Sequence, residues 1–589
     1  VTRSRRFDLT GFGAAAAFAV LLAAGNAVWV FLDHSTPAWD QSTYLSDALL
    51  YRQGWAVDGI HGLLSAIDHV DPMHGPLFPI AMVPFFKLFG NEPRSGLILN
   101  VALAPFLYVS AGQIAWIVFR NWVARLLTIF LVAMMPLLVG LNHEVLQDFT
   151  LATLATVSVL LLLMSDRFRN LWLTLGLGLA MGLGTLAKVT FPGFIAGPLV
   201  VVIAHAVLSA ARERGERTTL ESLMPQIGNF LAGAAVYLVV VLPWYLPHLS
   251  ATAEYVRSTT SGPLSEGVGP VHPLTFHAIA SFTTGMVNLH LSWVIALAGL
   301  IAIALAFPSL LALLRRRPLD LDRVAGLAVL LAWAIVPYIA LATAHNQDVR
   351  LMAPAMVAMA IIVAGAISYV RQTWARAALI AIPAVLLVYQ NVNHVTPITP
   401  GFLPGDLALS VGGYEAMIPL DDRQIGFQRL PGDDLGTPVI ERVEQIARSE
   451  TRGFGPRTLC MLETEPVING NTMRFLSLQR GDPFAIEETL VGPGGTRELR
   501  ETLEGCDFAL YVKQPKPDPE TAGERIVIVN EPYAANHMTP SLFKVFRGTR
   551  SSVPITPPGE SSGGGSRVWV LVREPSGRVP STSSGAAQP

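Results

Sequence analysis

At 589 residues, 51% hydrophobic and only 14% charged, with a mean hydropathy of +0.46, the chain is too apolar for a soluble globular protein and reads as an integral membrane protein. Its 41 Lys and Arg against 43 Asp and Glu leave a net charge of -2, so no basic excess recommends a nucleic-acid partner. The only two cysteines, Cys460 and Cys506, exclude a disulfide framework as the main source of stability; a bridge between them and two buried thiols are both compatible with the sequence.

The N-terminal TRSRR precedes an Ala/Leu/Val run to Leu32 that is long enough to span. No small-residue cleavage site follows it, which predicts a retained first helix. Further apolar runs at about 95–119, 121–141, 149–164, 171–187, 189–208, 226–247, 288–308, 324–343, 350–370 and 376–391 bring the expected spans to about eleven. Basic residues fall in every second loop: Arg3, Arg5 and Arg6, Arg120 to Arg125, Arg167 and Arg169, Arg212 to Arg217, Arg315 to Arg323, and Arg371 with Arg376. Lys and Arg concentrate on the cytoplasmic side. The N-terminus is therefore expected in the cytoplasm of a multi-pass plasma or inner membrane protein. Loops 33–94, 142–148, the junction at Lys188, 248–287, 344–349 and everything after Asn391 are expected outside.

That alternation holds if Pro76 to Gly90, short and carrying three prolines, lies as a juxtamembrane or re-entrant segment on the outer face. The chain is expected to divide into a membrane domain, 1–391, and an extracytoplasmic soluble α/β domain, 392–574. In the latter, Thr437-Pro438 opens an amphipathic helix to about Ser449. Strands are expected at 458–463, 507–513, 526–530 and 568–573, with helices near 471–480 and 495–504. Val491 to Thr496, VGPGGT, lacks the Lys-Ser/Thr of a phosphate loop. The Pro/Ser/Gly-rich stretch 549–566 reads as flexible and 575–589 as a disordered tail.

Polar residues on the outer face beside spanning helices are the candidates for chemistry. Asp40 leads: in the helix implied by YLSDALLY it shares a face with Tyr44 and Asp47, so one acid can enter a cleft while a neighbour holds its geometry. Capping of that helix is the alternative role. Glu144 and Asp148, four apart in NHEVLQDF, are read as sharing one face at a helix mouth, where a carboxylate also suits the dipole. Acids from two loops can deprotonate and orient an acceptor hydroxyl, or hold a divalent metal, the one cofactor in question. Lys188 interrupts more than thirty apolar residues, where a charge is expensive. Arg350, with His345 and Asp348 nearby, opens a span on the outer side, so the cations suit an anionic headgroup. His272, His277 and His290 match no standard zinc spacing.

In order and spacing, PAWDQSTYLSDALLYRQGW, HGPLFPIAMVPFFKLFG, NHEVLQD, GLGTLAKVTFPGF, LPWYLP at 242–247 and DVRLMAPAMVAMA resemble the GT-C superfamily of polyprenyl-phosphate-sugar-dependent glycosyltransferases. The resemblance is to the branch containing protein O-mannosyltransferases and the lipid A aminoarabinose transferase, and covers most of residues 1–391. It implies a polytopic α-helical membrane fold, GT-C-like, with about eleven transmembrane helices, juxtamembrane helices and the extracytoplasmic α/β domain. It further implies that Asp40 is the catalytic acid or base, and that Lys188 and Arg350, with His74, hold the lipid phosphate. Gln41 follows Asp40 where many relatives have Asp-Glu, and Gly75-Pro76 stands in place of Pro-Pro.

The expected activity is an inverting transfer of a hexose or pentose from a polyprenyl-phosphate donor to a hydroxyl of an extracytoplasmic glycan, lipid or protein in cell-envelope biosynthesis. A lipid-linked-sugar transporter or flippase is one rival and a non-catalytic envelope-assembly scaffold the other. The polar residues gather at one face rather than at midplane in broken repeats, which disfavours the transporter.

Overall fold

The computed structural model describes residues 9–213, 218–261, 270, 272–315, 321–396, 407–411, 413–419, 431–449, 457–462, 468–481, 484–488, 495–513, 551–554 and 567–572. The strand expected at 526–530, most of VGPGGT, most of 549–566 and the tail 575–589 lie outside the described residues. Two compact units emerge: Val1–His34 with Tyr44–Gly432, and Ser35–Thr43 with Asp433–Pro589.

The first unit is helical because, in hydrocarbon, backbone N–H and C=O groups find partners only within the segment itself. Its first ten helices are α1 (Leu9–Leu32), α2 (Trp39–His69), α3 (Leu77–Phe89), α4 (Pro93–Phe119), α5 (Trp122–Met134), α6 (Pro136–Asn142), α7 (Gln147–Met164), α8 (Leu171–Ala187), α9 (Phe191–Glu213) and α10 (Thr219–Tyr245). Helix α2 begins in the short Ser35–Thr43 stretch of the other unit and breaks at Asp58–Gly59, where Gly59 takes φ 55°.

Among the described residues eight helices are long and apolar enough to cross a membrane, and two bent pairs bring the number to ten. The pairs are α5 with α6, bent by 60°, and Phe276–Leu291 with Trp293–Ser309, bent by 103°. The first bend falls at Pro136, which cannot donate into the helix ladder. The second falls at Ser292, buried and left-handed at φ 74°. The eleven expected spans exceed ten by α8, whose 17 residues rise about 25 Å, short of a roughly 30 Å hydrocarbon core. The segment after Pro76 is the 13-residue helix α3.

Small residues set the closest helix approach: a Cβ on Gly178 of α8 would lie 2.1 Å from the Gly233 carbonyl oxygen of α10, the small-on-small packing that lets helix backbones touch in lipid. Burial grades the spans. The Val349–Ser368 window is 78% buried and that of Thr219–Tyr245 only 17%, so the former fills the centre and the latter offers its side chains to lipid.

Between α7 and α8 the chain makes an uncommon turn. Asp166, Arg167 and Phe168 are all left-handed, at φ 52°, 61° and 65°, which costs L-residues about 1–2 kcal/mol each. The turn is held by Phe168, buried with its ring edge-on to Phe230, and by Asn229 Nδ2, which donates to the Phe168 carbonyl at 2.8 Å. A hairpin of β1 (Leu407–Val411) and β2 (Tyr414–Ile418) also belongs to this unit. Asn288 secures it, donating to the Glu415 carbonyl and accepting from the Met417 N–H. The division between the two units by contacts falls after Gly432.

The second unit carries a five-stranded mixed sheet of β3 (Thr458–Met461), β4 (Ala485–Glu488), β5 (Phe508–Lys513), β6 (Ser551–Pro554) and β7 (Arg567–Val572), ordered β4-β3-β5-β7-β6. β3 runs parallel to β4 and β5, while β7 is antiparallel to β5 and β6. Helices Thr437–Ser449, Gly470–Arg480 and Gly495–Gly505 accompany it. Cys460 and Cys506 form a disulfide. Arg480 bonds Glu444 at 2.8 Å and Glu441 at 3.1 Å, and these acids hold its guanidinium above the usual arginine pKa, the bond to Glu444 contributing most.

Candidate active site

The acid loop between α6 and α7 is fixed from two helices. Asn100 of α4, fully buried, donates to the carbonyls of Leu141 and Glu144 at 3.2 and 2.8 Å, and Asn142 donates back to the Asn100 carbonyl at 3.1 Å. His143 stacks on Trp29 of α1 at 3.9 Å, with its Nε2 3.2 Å from Asn26 Oδ1; Asn26 in turn donates to the Tyr108 hydroxyl. The large majority of buried polar side chains are bonded in this way. Asn26 and Asn100 were legible as polar residues inside apolar runs, a signal that the acids and cations overshadowed.

Glu144 is not on the helix: α7 starts at Gln147, so Asp148 occupies its first turn while Glu144 stands in the preceding loop. The shared helical face expected from their spacing is therefore replaced by two backbones of different geometry. Both carboxylates are nonetheless buried, at 5% and 1% exposure, as is Asp47 of α2 at 6%.

Asp148 has its countercharge. Lys188 caps α8 in an extended conformation, its N–H bonded to Gly184 O and its carbonyl accepting from Phe191 N. From that break its Nζ reaches Asp148 Oδ1 at 2.7 Å, with 13% and 2% of the two side chains exposed. Phe191 lies over Gly184, where a Cβ would come within 2.2 Å of the ring, so a glycine is what allows the chain to fold back here. One predicted cation and one predicted acid, forty residues apart, are thus partners.

His74 sits in a turn built by Asp71, whose Oδ1 accepts from the N–H groups of Met73 and His74 and whose Oδ2 lies 2.6 Å from His74 Nδ1. Burial opposes ionisation of Asp71, but the His74 ring and the two N–H groups outweigh it and hold its pKa below the ordinary carboxylate value. A Cβ on Gly75 would lie 2.1 Å from the Leu186 carbonyl oxygen. The turn is therefore seated on the end of α8, two residues before Lys188. Tyr255 and Tyr44 present their rings edge-on to His74 at 4.4 and 6.1 Å.

Arg350 lies in the single turn Val349–Met352 that opens the central span, its Nε 2.6 Å from Asp348 Oδ2. His345 is exposed ahead of it. Asp40 stands in the first turn of α2, after Trp39 at φ 43°, and belongs to the second unit. There the Pro37 carbonyl accepts from Ser42 Oγ at 2.8 Å and Thr472 Oγ1 at 3.1 Å, while Thr36 donates to Asp434 and accepts from the N–H groups of Leu435 and Gly436. The acid is thus carried on a turn anchored by the C-terminal residues. Among the described residues no three His, Cys, Asp or Glu side chains converge as metal ligands.

Spanning bundle and C-terminal strands together make this a polytopic membrane protein with the GT-C fold, an assignment carried by likeness to solved structures. It resembles ArnT from Cupriavidus metallidurans in the apo state, with a TM-score of 0.52 and 14% identity over 90% of this chain and 100% of that one. The same enzyme bound to undecaprenyl phosphate gives 0.51 and 13%, over 95% and 98%. No family model and no curated protein sequence matches the chain.

Proposed function

We propose that the protein is a membrane glycosyltransferase of the inverting type. An acceptor hydroxyl oxygen attacks the anomeric carbon of a sugar on polyprenyl phosphate, the carbon–oxygen bond to phosphate breaks, and the lipid phosphate leaves with the bonding electrons. Asp40 takes the hydroxyl proton. The observation that carries the reading is the buried Asp148–Lys188 pair beside the His74 turn, in a fold like that of an ArnT solved with undecaprenyl phosphate. Phosphate is a competent leaving group once neutralised, so the protein's task is chiefly positioning and charge stabilisation. In this scheme Lys188, its charge balanced by Asp148, gives the phosphate hydrogen bonds from its remaining N–H groups. Arg350 and His74 supply further donors, and His345 lies at the rim.

The proposed orientation puts the N-terminus in the cytoplasm and the sheet domain outside. Alternating basic loops support it, and so does the Cys460–Cys506 disulfide, which suits an oxidising compartment. Sugar and acceptor are to be found by assay, beginning with radiolabelled polyprenyl-phosphate hexoses and pentoses and with envelope glycans, lipids and proteins.

The deciding variant is Asp40→Asn. Removal of a general base lowers transfer by roughly 10²- to 10⁴-fold, whereas Asn caps a helix about as well as Asp, so thermal stability should not change. Near-normal transfer by this variant, correctly folded, would take the base away from Asp40 and give it to Glu144 or Asp47.

A further inference from the structure

The 103° bend at Ser292 lays Phe276–Leu291 almost across the span Trp293–Ser309. Spans tilt on average by about 20° from the bilayer normal, so this arm runs close to the membrane plane, the posture of an interfacial helix. The β1–β2 hairpin sits against the arm, tied to it by Asn288. Between the two is a groove of 500 Å³, lined by Phe276, Ile279 and Thr283 of the arm and by Leu409, Val411 and Tyr414 of the hairpin. The arm residues recur at spacings of three and four, as one helical stripe. Leu409 and Val411 alternate along β1, and Val411 stands opposite Tyr414 in register, so these three share one face of the hairpin.

Among the described residues that line the groove none is charged. Its apolar walls lie open: Leu407, Leu409 and Val411 on the hairpin face, with Leu274 and Phe276 beside them, are each more than half exposed. Contiguous apolar surface of this kind marks a partner site, and two observations say which partner. The groove runs into surface that already faces lipid. Trp293 lines it, and one turn further along that span Leu297, Leu300 and Ile301 are exposed. Thr283 shares a 2.7 Å hydrogen bond with Tyr338, next to the exposed Ile339 on the span Leu321–Ala342. The aromatic rings of the groove, moreover, have bonded polar tips: Trp293 Nε1 donates to Asn288 Oδ1 at 2.5 Å, and the Tyr414 hydroxyl lies 3.2 Å from His277 Nδ1. Trp and Tyr with an apolar body and a bonded tip concentrate at the headgroup level of a membrane.

We propose that the apolar face of the β1–β2 hairpin is a membrane-contact surface: hairpin and arm dip into the boundary between headgroups and acyl chains, and acyl chains of the surrounding phospholipids fill the groove. At that level water still reaches the strand edges, which hydrocarbon would leave unpaired. Asp40, His74, Asp148, Lys188 and Arg350 are not among the residues lining the groove, so the lipid contact holds whatever reaction the protein catalyses.

The test is fluorescence quenching of the full-length protein in lipid nanodiscs. Both native cysteines are in the disulfide, so a thiol introduced by Leu407→Cys, Ala408→Cys, Leu409→Cys, Ser410→Cys or Val411→Cys takes a bimane label alone, with Leu300→Cys as the lipid-facing reference. Phosphatidylcholine brominated near the ester end of its acyl chains should quench label at 407, 409 and 411 at least about twofold more than at 408 and 410, because alternate side chains stand on opposite faces of a strand. Aqueous iodide should give the reverse order. Three positions report on the apolar face, and any one whose variant elutes as wild type on size exclusion suffices. Equal quenching along the strand overturns the proposal. So does label at 409 shielded from both quenchers, which would mean a protein segment or a second copy in the groove. Quenching by brominated lipid that is abolished by undecaprenyl phosphate overturns it too, since the groove would then hold a polyprenyl chain.

Discussion

The two ends of α7 and α8 use charge in opposite ways. At the Asp148 end a charge pair is matched, buried and closely packed: Lys188 meets Asp148 at 2.7 Å, and glycines 75 and 184 let backbone and ring approach within a missing Cβ. At the Asp166 end cations outnumber acids, the acids are about half exposed, a cavity lies open and the backbone is left-handed over three residues. A balanced pair in a dry setting fixes geometry, whereas charges whose acids are about half exposed around a cavity are screened by water and fix it less. The difference concerns what each end needs to be stable, and it can be attacked from both sides.

The largest effect is expected at the balanced end. Lys188→Ala leaves the Asp148 carboxylate buried without its ammonium, a defect that costs about 3–5 kcal/mol. Thermal unfolding in detergent measures it. Adding Asp148→Asn should restore most of that stability, because the orphaned charge is gone, yet should not restore transfer if Lys188 also serves the donor phosphate. A double variant no more stable than the single one would mean that Lys188 acts through packing instead of through its partner.

A smaller effect follows from Asp71. Its pKa is lowered in the fold, so its bond to His74 contributes stability above the unfolded carboxylate value, near 3.8, and that contribution is lost as pH falls through the still lower folded value. The Tm of wild type should therefore decline across that acidic window more steeply than that of Asp71→Asn, in which the group no longer titrates. Parallel Tm–pH curves would show that the turn is held by its backbone bonds and by the Gly75–Leu186 contact alone.

Much of this architecture was legible, and the illegible parts have physical causes. Apolar length reports spans directly, and the α5–α6 bend is marked by Pro136. The 103° bend is not: Ser292, left-handed at φ 74°, carries no proline or glycine signal. Lys188 stood out because a charge inside an apolar run is rare, but nothing local names Asp148 as its partner, since that choice is made by helix packing forty residues away. Helical spacing placed Glu144 on α7, while three bonds between Asn100, Asn142 and backbone carbonyls keep it in a loop. In the C-terminal unit the helix Thr437–Ser449 agrees with its sequence signals residue for residue, because cap and proline are local devices. That Ser35–Thr43 belongs with this unit, through Thr472 and Asp434, depends on contacts some four hundred residues apart.

The smallest expected effect has the opposite sign, and that sign is what makes the comparison sharp. Arg167 is left-handed at φ 61°, a conformation that costs an L-residue about 1–2 kcal/mol and costs glycine almost nothing. Arg167→Gly relieves that strain. It also frees the unfolded chain, which takes back about 0.4–1 kcal/mol, and it removes the contacts of the guanidinium, among them the 3.6 Å ion pair with the half-exposed Asp166, worth about 0–1 kcal/mol. The net change should lie between about 1 kcal/mol destabilising and about 1.6 kcal/mol stabilising, on the stabilising side if the pair contributes little. Stability kept or gained would show that the strain at residue 167 outweighs what its side-chain contacts contribute. If Arg167→Gly were instead as destabilising as Lys188→Ala, the Asp166 end would be structural in the same sense as the Asp148 end, and the contrast between them would disappear.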